Sequence, residues 1–252
     1  IGTYFSHSIS IKNYDIKIDK ALKNDVNIVL VSDIHLGEVI ENNRLNTLVE
    51  KINSLNGDMV LIAGDLVDSN LTPVKEKDML DSLKDIKSKY GTYLSLGNHD
   101  FYTGEADELE NILSKVNVNV LRDEITLIND SFYLIGRDDA TVKRYNGERD
   151  SLNVIKSSID NFNSDKPVIV IDHNPQYLDE SISNNIDLQV SGHTHKGQLS
   201  PINLITDKLF DIDYGLGKFQ NTSVVVTSGF GTWGPPIRIG SSSEIVMIKL
   251  HN

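Results

Sequence analysis

The sequence predicts an α/β fold of two packed mixed β-sheets flanked by helices, forming one domain over residues 1–252. Three observations carry that expectation. Short β-branched runs alternate with segments of helical period. A compact polar motif follows each early run, where ligand sites of such sheets collect. The chain of 252 residues, 39% hydrophobic, can bury one substantial core and suits one large domain better than two small ones.

The elements read as follows. Ile9, Ile11, Ile16 and Ile18 are spaced by polar residues, which predicts a half-exposed strand or hairpin over residues 8–19. Residues 27–32 form an unbroken apolar run, as a strand buried on both faces does. Leu45, Leu48, Val49, Ile52 and Leu55 fall at helical spacing over 43–55. Residues 59–63 and 92–96 read as buried strands, with a charged amphipathic helix over 75–89 between them. Further on, 105–116 reads as a helix, 124–129 and 131–136 as a hairpin, and 151–161 as a helix. Strands are expected at 168–171 and 187–190, and the runs 222–227 and 244–250 would complete a second sheet. The least regular stretches are 138–150 and 197–220.

Composition excludes several functions. The chain has no cysteine, so it has no disulfide, thiolate ligand or cysteine nucleophile. Its formal charge of −12, without a basic stripe, disfavours nucleic acid and counts against a nuclease. No apolar run reaches the ~20 residues that span a bilayer. The chain starts at Ile1 rather than Met, which leaves open an N-terminal anchor upstream. Richness in Asn, Lys and Ile hints at an AT-rich bacterial genome.

Five of the seven histidines lie in short polar motifs; His7 and His251 lie near the ends. Asp33-Ile34-His35 offers a carboxylate and an imidazole two residues apart, a spacing that points both the same way along extended chain. Gly64-Asp65 places a carboxylate, able to bridge two ions, at the next strand end. In Gly97-Asn98-His99-Asp100, Asn98 offers an amide oxygen, His99 a proton donor, and Asp100 a partner for its far nitrogen. His173 precedes Asn174-Pro175, and Gly192-His193-Thr194-His195 supplies two imidazoles for neighbouring ions. Singly, Asp-x-His reads better as a solvated loop and Gly-Asp as a surface turn; the Gly97–Asp100 motif reads better as functional than as a polar turn capped by Asp100 or Thr103. Such ligands suit Mn, Fe, Zn or Co better than Mg or Ca.

Together these motifs resemble the calcineurin-like metallophosphoesterase superfamily, whose pattern is D-x-H, GD, GNHD, H and GHxH in that order. The resemblance implies two divalent metal ions, the first held by Asp33, His35, Asp65 and His195 and the second by Asp65, Asn98, His173 and His193, with Asp65 as bridge. It implies His99 as catalytic acid, oriented by Asp100, and a hydrolase of phosphate esters acting by metal-bridged hydroxide attack. A phosphodiesterase or pyrophosphatase is the leading expectation; a phosphomonoesterase or a non-catalytic metal-bound scaffold is the alternative. Asp172-His173-Asn174-Pro175, His193 to Gln198, and Ser228-Gly229-Phe230-Gly231 followed by Pro236-Ile237-Arg238 look like a bacterial membrane-associated branch. Members of that branch usually carry N-terminal membrane segments, and some relatives act on phospholipid-like substrates, so the branch leaves the substrate open. The chain is expected to be a monomer, membrane-associated or cytoplasmic, acting on a small phosphate ester or a phospholipid-like substrate. Lys196 departs from the small residue expected there and would add a cation near the metals.

Substrate contacts are expected from Asn98 and from Arg238 after its Gly-Pro-Pro turn, as a phosphate clamp or a surface salt bridge. The apolar residues of 204–219 would pack on the second sheet or wall the site. Trp233 is open to both readings. Lys143, Arg144 and Arg149 would form a solvated loop, with an anionic-headgroup rim as the lesser alternative.

Overall fold

The structure is a computed structural model that describes residues 8–38, 40 and 42–252; His7 lies outside them. Two six-stranded mixed sheets pack face to face, as expected. The first sheet has the order β1 (Ile9–Lys17), β12 (Ser243–His251), β2 (Val26–Val31), β3 (Met59–Ala63), β4 (Thr92–Ser95), β5 (Val118–Val120). The second has the order β10 (Gly215–Phe219), β11 (Thr222–Val226), β9 (Leu188–Ser191), β8 (Val168–Asp172), β7 (Phe132–Arg137), β6 (Glu124–Ile128).

The unbroken apolar runs have a simple cause. Alternate residues of a strand enter opposite layers, and both layers are buried. Ile28, Leu30, Leu61 and Ala63 face the second sheet and meet Leu134, Ile169, Ile171, Leu188 and Val190. Their neighbours Val29, Val31, Val60 and Ile62 face outward onto Leu45, Leu48, Val49 and Ile52 of the Asn42–Ser54 helix. The strands β2, β3 and β4 run parallel, as do β7, β8 and β9. Their carboxyl ends therefore come together at one edge of the sandwich.

Several expectations need correction. Residues 75–89 are not one helix: a helix over Leu71–Glu76 and a 3-10 helix over Met79–Asp85 are separated at Asp78, whose φ is 47°. Asn70 starts the first by accepting from Thr72 N, so the helix begins earlier than the charged face suggested. The run 244–250 belongs to the first sheet, between β1 and β2, because β12 pairs antiparallel with β2; an apolar run does not say which sheet it joins. Residues 197–220 are more regular than expected, with a helix over Asn203–Leu209 and then β10. No helix among the described residues is long and apolar enough to cross a membrane.

Candidate metal centre

Five loops that leave β2, β3, β4, β8 and β9 converge at that edge. Backbone bonds stitch the first two together: Asp33 N donates to Gly64 O, and His35 N to Asp65 O. Sheet joins sheet where His173 Nδ1 donates to Ala63 O at 2.7 Å. A carbonyl only accepts, so Nδ1 carries a proton and Nε2 is the nitrogen turned towards Asp65 and Asn98.

Three overlapping ligand groups result, one of which, His35 with Asp65 and His99, links the other two. Asp33, His35 and His195 form one of those two, all buried. His195 Nε2 lies 3.2 Å from Asp33 Oδ1 and 3.1 Å from His35 Nε2. Asp65, His173 and His193 form the other. There His173 Nε2 lies 3.1 Å from Asp65 Oδ2, and Asn98 Oδ1 stands 2.9 Å from His193 Nδ1 and 3.2 Å from His173 Nε2. Asp65 Oδ2 is also 4.0 Å from His35 Nε2, which places this carboxylate between the groups.

These atoms fit divalent cations. The imidazole nitrogens of His35 and His195 face one another, as do those of His173 and His193 at 3.3 Å. In each pair at most one nitrogen can donate to the other, whereas a cation satisfies both. Burial pushes His195 down to about 4 and also lowers His193, which favours the neutral, ligating form. Burial raises the Asp65 carboxyl, but the adjacent His173 imidazole outweighs it and holds the group at about 2.

The backbone pays for this convergence in strain. Asp33, His35, Asp65, His193 and His195 all have φ between 50° and 69°, a region costly for non-glycine residues and found where a site over-determines it. The Asp33-Ile34-His35 pair is therefore not on extended chain: left-handed turns, not strand alternation, bring both side chains inward. Gly192 is required by space rather than by φ. A Cβ there would overlap Ser32 Oγ and Asp33 Oδ2. Gly192→Ala is expected to cost about 1–3 kcal/mol by overpacking and to lower the melting midpoint by on the order of 5 °C. Thermal unfolding followed by circular dichroism checks this, and an unchanged midpoint would refute the crowding.

Asp100 is not the partner of the His99 ring. Its buried carboxylate accepts from the backbone N–H groups of Asp65, Val67 and Gly97, tying the two loops together. This is closer to the capping reading, and burial together with Asp65's charge raises its carboxyl to about 7. The ring instead meets Asp68, which the sequence reading missed. Nδ1 of His99 donates to Asp68 O at 2.6 Å, with Asp68 Oδ1 at 3.3 Å and, on its other side, 3.4 Å from His35 Nδ1. Burial lowers the His99 imidazole, but the Asp68 bond and Asp65's charge outweigh it and raise it to about 9. The signal for Asp68 is slight: a carboxylate three residues past Asp65, placed by the bridge between Leu36 and Val67.

Arg238 is neither a phosphate clamp nor a surface ion pair. It is fully buried, and its guanidinium donates to the carbonyls of Ser228, Gly229 and Gly231, 3.5 Å from His195 Nδ1. It shapes the loop whose Gly231 N donates to Asp33 O. Lys196 does not approach the ligands; its ammonium lies 4.1 Å above the Tyr214 ring. Lys143 and Arg144 are exposed, as expected, but the side chain of Arg149 is 5% exposed, pairs with Asp172 and lies over the Tyr177 ring. Trp233 is half exposed and clasped by Gln198, whose amide bonds both Trp233 O and Trp233 N.

Buried Asp, His and Asn side chains, gathered in overlapping groups at the strand ends of a double sheet, define the class: a metallohydrolase domain. The particular family follows from comparison. The calcineurin-like phosphoesterase family matches residues 26–197, and the chain belongs to it. It is 36% identical over 244 residues to an uncharacterised metallophosphoesterase of Helicobacter pylori, covering 95% of this chain and 63% of that protein. A metallophosphoesterase of Aquifex aeolicus is 33% identical, covering 99% and 94%. A zebrafish (Danio rerio) transmembrane protein with a metallophosphoesterase domain is 32% identical, covering 90% and 53%. Among solved structures, the NAD nucleotidase of Haemophilus influenzae shares the fold, with a TM-score of 0.52 and 17% identity over 82% of this chain and 51% of that one.

Proposed function

We propose that the chain is a binuclear metal-dependent phosphodiesterase or pyrophosphatase. Asp33, His35, Asp65 and His195 hold one ion and Asp65, Asn98, His173 and His193 the other, with Asp65 shared. The donor set suits Mn, Fe, Zn or Co. Two such cations supply Lewis acidity to the phosphoryl oxygens and lower the pKa of an attacking water. The chain's own residues do the rest. Asp68 fixes the His99 ring through Nδ1, which leaves Nε2 as the proton donor to the departing oxygen. Asn98 turns its carbonyl oxygen to the ligand histidines and keeps its amide nitrogen for a phosphoryl oxygen. Asp100 fixes the loops that carry Asp65 and His99.

One observation favours a diester over a monoester. Among the described residues, no Lys or Arg lines either cavity beside the ligands. A monoester is a dianion at neutral pH and would meet Glu38 and Asp68 at the first of these cavities; a diester carries one charge and two organic groups. The test uses metal-reconstituted protein on bis(p-nitrophenyl) phosphate and on p-nitrophenyl phosphate. The diester is expected to be favoured at least about tenfold in kcat/KM, a difference of about 1.4 kcal/mol in transition-state binding, and chelation is expected to abolish both activities. Preference for the monoester would overturn the reading.

A further inference from the structure

Two cavities flank the ligand groups, and they differ in kind. The one beside His35, about 270 Å³, is bounded by Glu38, Asp68, Ser69 and Asn70. The one beside His193, about 290 Å³, is bounded on its outer side by Ile202, Thr206, Phe210 and Trp233. Ile202, Thr206 and Phe210 recur every four residues, so one stripe of this segment turns towards the metal ligands. Phe210 meets the His193 ring edge-to-face, with centroids 6.2 Å apart.

The apolar strip continues onto the surface. The Asn203–Leu209 helix buries none of its residues; Ile205 and Leu209, on the side of Ile202, are 56% and 70% exposed. Ile205 lies one turn from Ile202, and Leu209 one turn further on. Large apolar side chains grouped and exposed beside a site mark a surface that binds something apolar. The helix is too short to persist unaided. It is held in place by Thr206 Oγ1 on Asp213 Oδ2 at 2.7 Å, while the Gln198–Trp233 clasp fixes the opposite rim.

We propose that this strip binds the hydrocarbon chain of the substrate, so that the reacting group is the phosphodiester of an alkyl- or acyl-bearing amphiphile. The proposal rests on the phosphodiesterase reading. The occupant follows from continuity: the strip begins at a metal ligand, so what lies on it is joined to the phosphorus that reacts there. The polar cavity beside His35 receives the other substituent. A formal charge of −12 gives the chain no electrostatic pull towards an anionic bilayer, which favours a single substrate chain over a lipid surface as the occupant.

The test is a series of p-nitrophenyl n-alkyl phosphodiesters, methyl to dodecyl, on the metal-loaded protein, assayed below their critical micelle concentrations and, in a parallel arm, as micelles or in phosphatidylcholine vesicles. Because each buried methylene contributes on the order of 0.8 kcal/mol, kcat/KM is expected to rise up to fourfold per methylene until the strip is filled. In the Ile205→Ser/Leu209→Ser variant the rise is expected to stop several methylenes earlier, with metal content and thermal unfolding confirming an intact fold. A flat response to chain length in a protein that hydrolyses the whole series would overturn this proposal alone. A response that appears only with micelles or vesicles would also overturn it, in favour of docking on a lipid surface. Failure to hydrolyse any member would overturn the phosphodiesterase reading and this proposal with it.

Discussion

Asp65→Ala is expected to reduce the bound metal from two ions per chain to at most one and to lower kcat/KM on an activated diester by at least about 10³-fold. The reason is geometric. Asp65 Oδ2 stands 3.1 Å from His173 Nε2 and 4.0 Å from His35 Nε2, one in each of the two ligand groups that are linked. No other carboxylate among the candidate ligand groups of the described residues belongs with both His35 and His173. Lewis-acid stabilisation by a metal pair is worth several kcal/mol, and each 1.36 kcal/mol is about tenfold in rate. The loss should exceed that of removing any single histidine. Its other oxygen, Oδ1, accepts from His99 N at 2.8 Å, so the variant also loosens the loop of the proposed acid. Metal analysis after dialysis, beside turnover, checks both parts; two ions retained per chain would defeat the bridging assignment.

His99→Ala is expected to retain both ions and to lower kcat by about 10²–10⁴, the usual contribution of a positioned general acid. The size should depend on the leaving group. An alkoxide needs the proton as it departs, so alkyl diesters should show the full loss. p-Nitrophenolate departs readily without one and should show little. This contrast separates proton donation from simple damage to the site, which would slow all substrates alike. Asp68→Asn should reproduce part of the effect, because Nδ1 of His99 also has the Asp68 backbone carbonyl as acceptor. A uniform loss across leaving groups would leave His99 as a substrate contact and not an acid.

Most of the fold and ligand set was legible because both depend on short-range patterns. The strands 59–63 and 168–172 announce themselves as apolar runs that end in polar motifs, and a strand end is where a site in layered sheets sits. The helix over Leu71–Glu76 was misplaced because its start depends on Asn70 and its end on a left-handed Asp78, neither of which changes the apolar period. β12 was assigned to the wrong sheet because sheet membership is a long-range choice: its partners β1 and β2 lie more than two hundred residues upstream.

The roles of particular side chains divide along the same line. Residue type and spacing, together with the family resemblance the ordered motifs carry, singled out Asp33, His35, Asp65, Asn98, His173, His193 and His195 as candidate ligands. Tertiary structure alone decided what stands behind them. It put Asp68 rather than Asp100 on His99, because the turn at Asp65 carries Asp68 back over the ring. It buried Arg238 under three carbonyls, because the loop over 228–231 closes on Asp33 and its carbonyls need a donor once water is excluded. It left the Asn203–Leu209 helix beside the site with none of its residues buried. Local chemistry can be read from one motif; the partners of a group follow only from where the whole chain brings its neighbours.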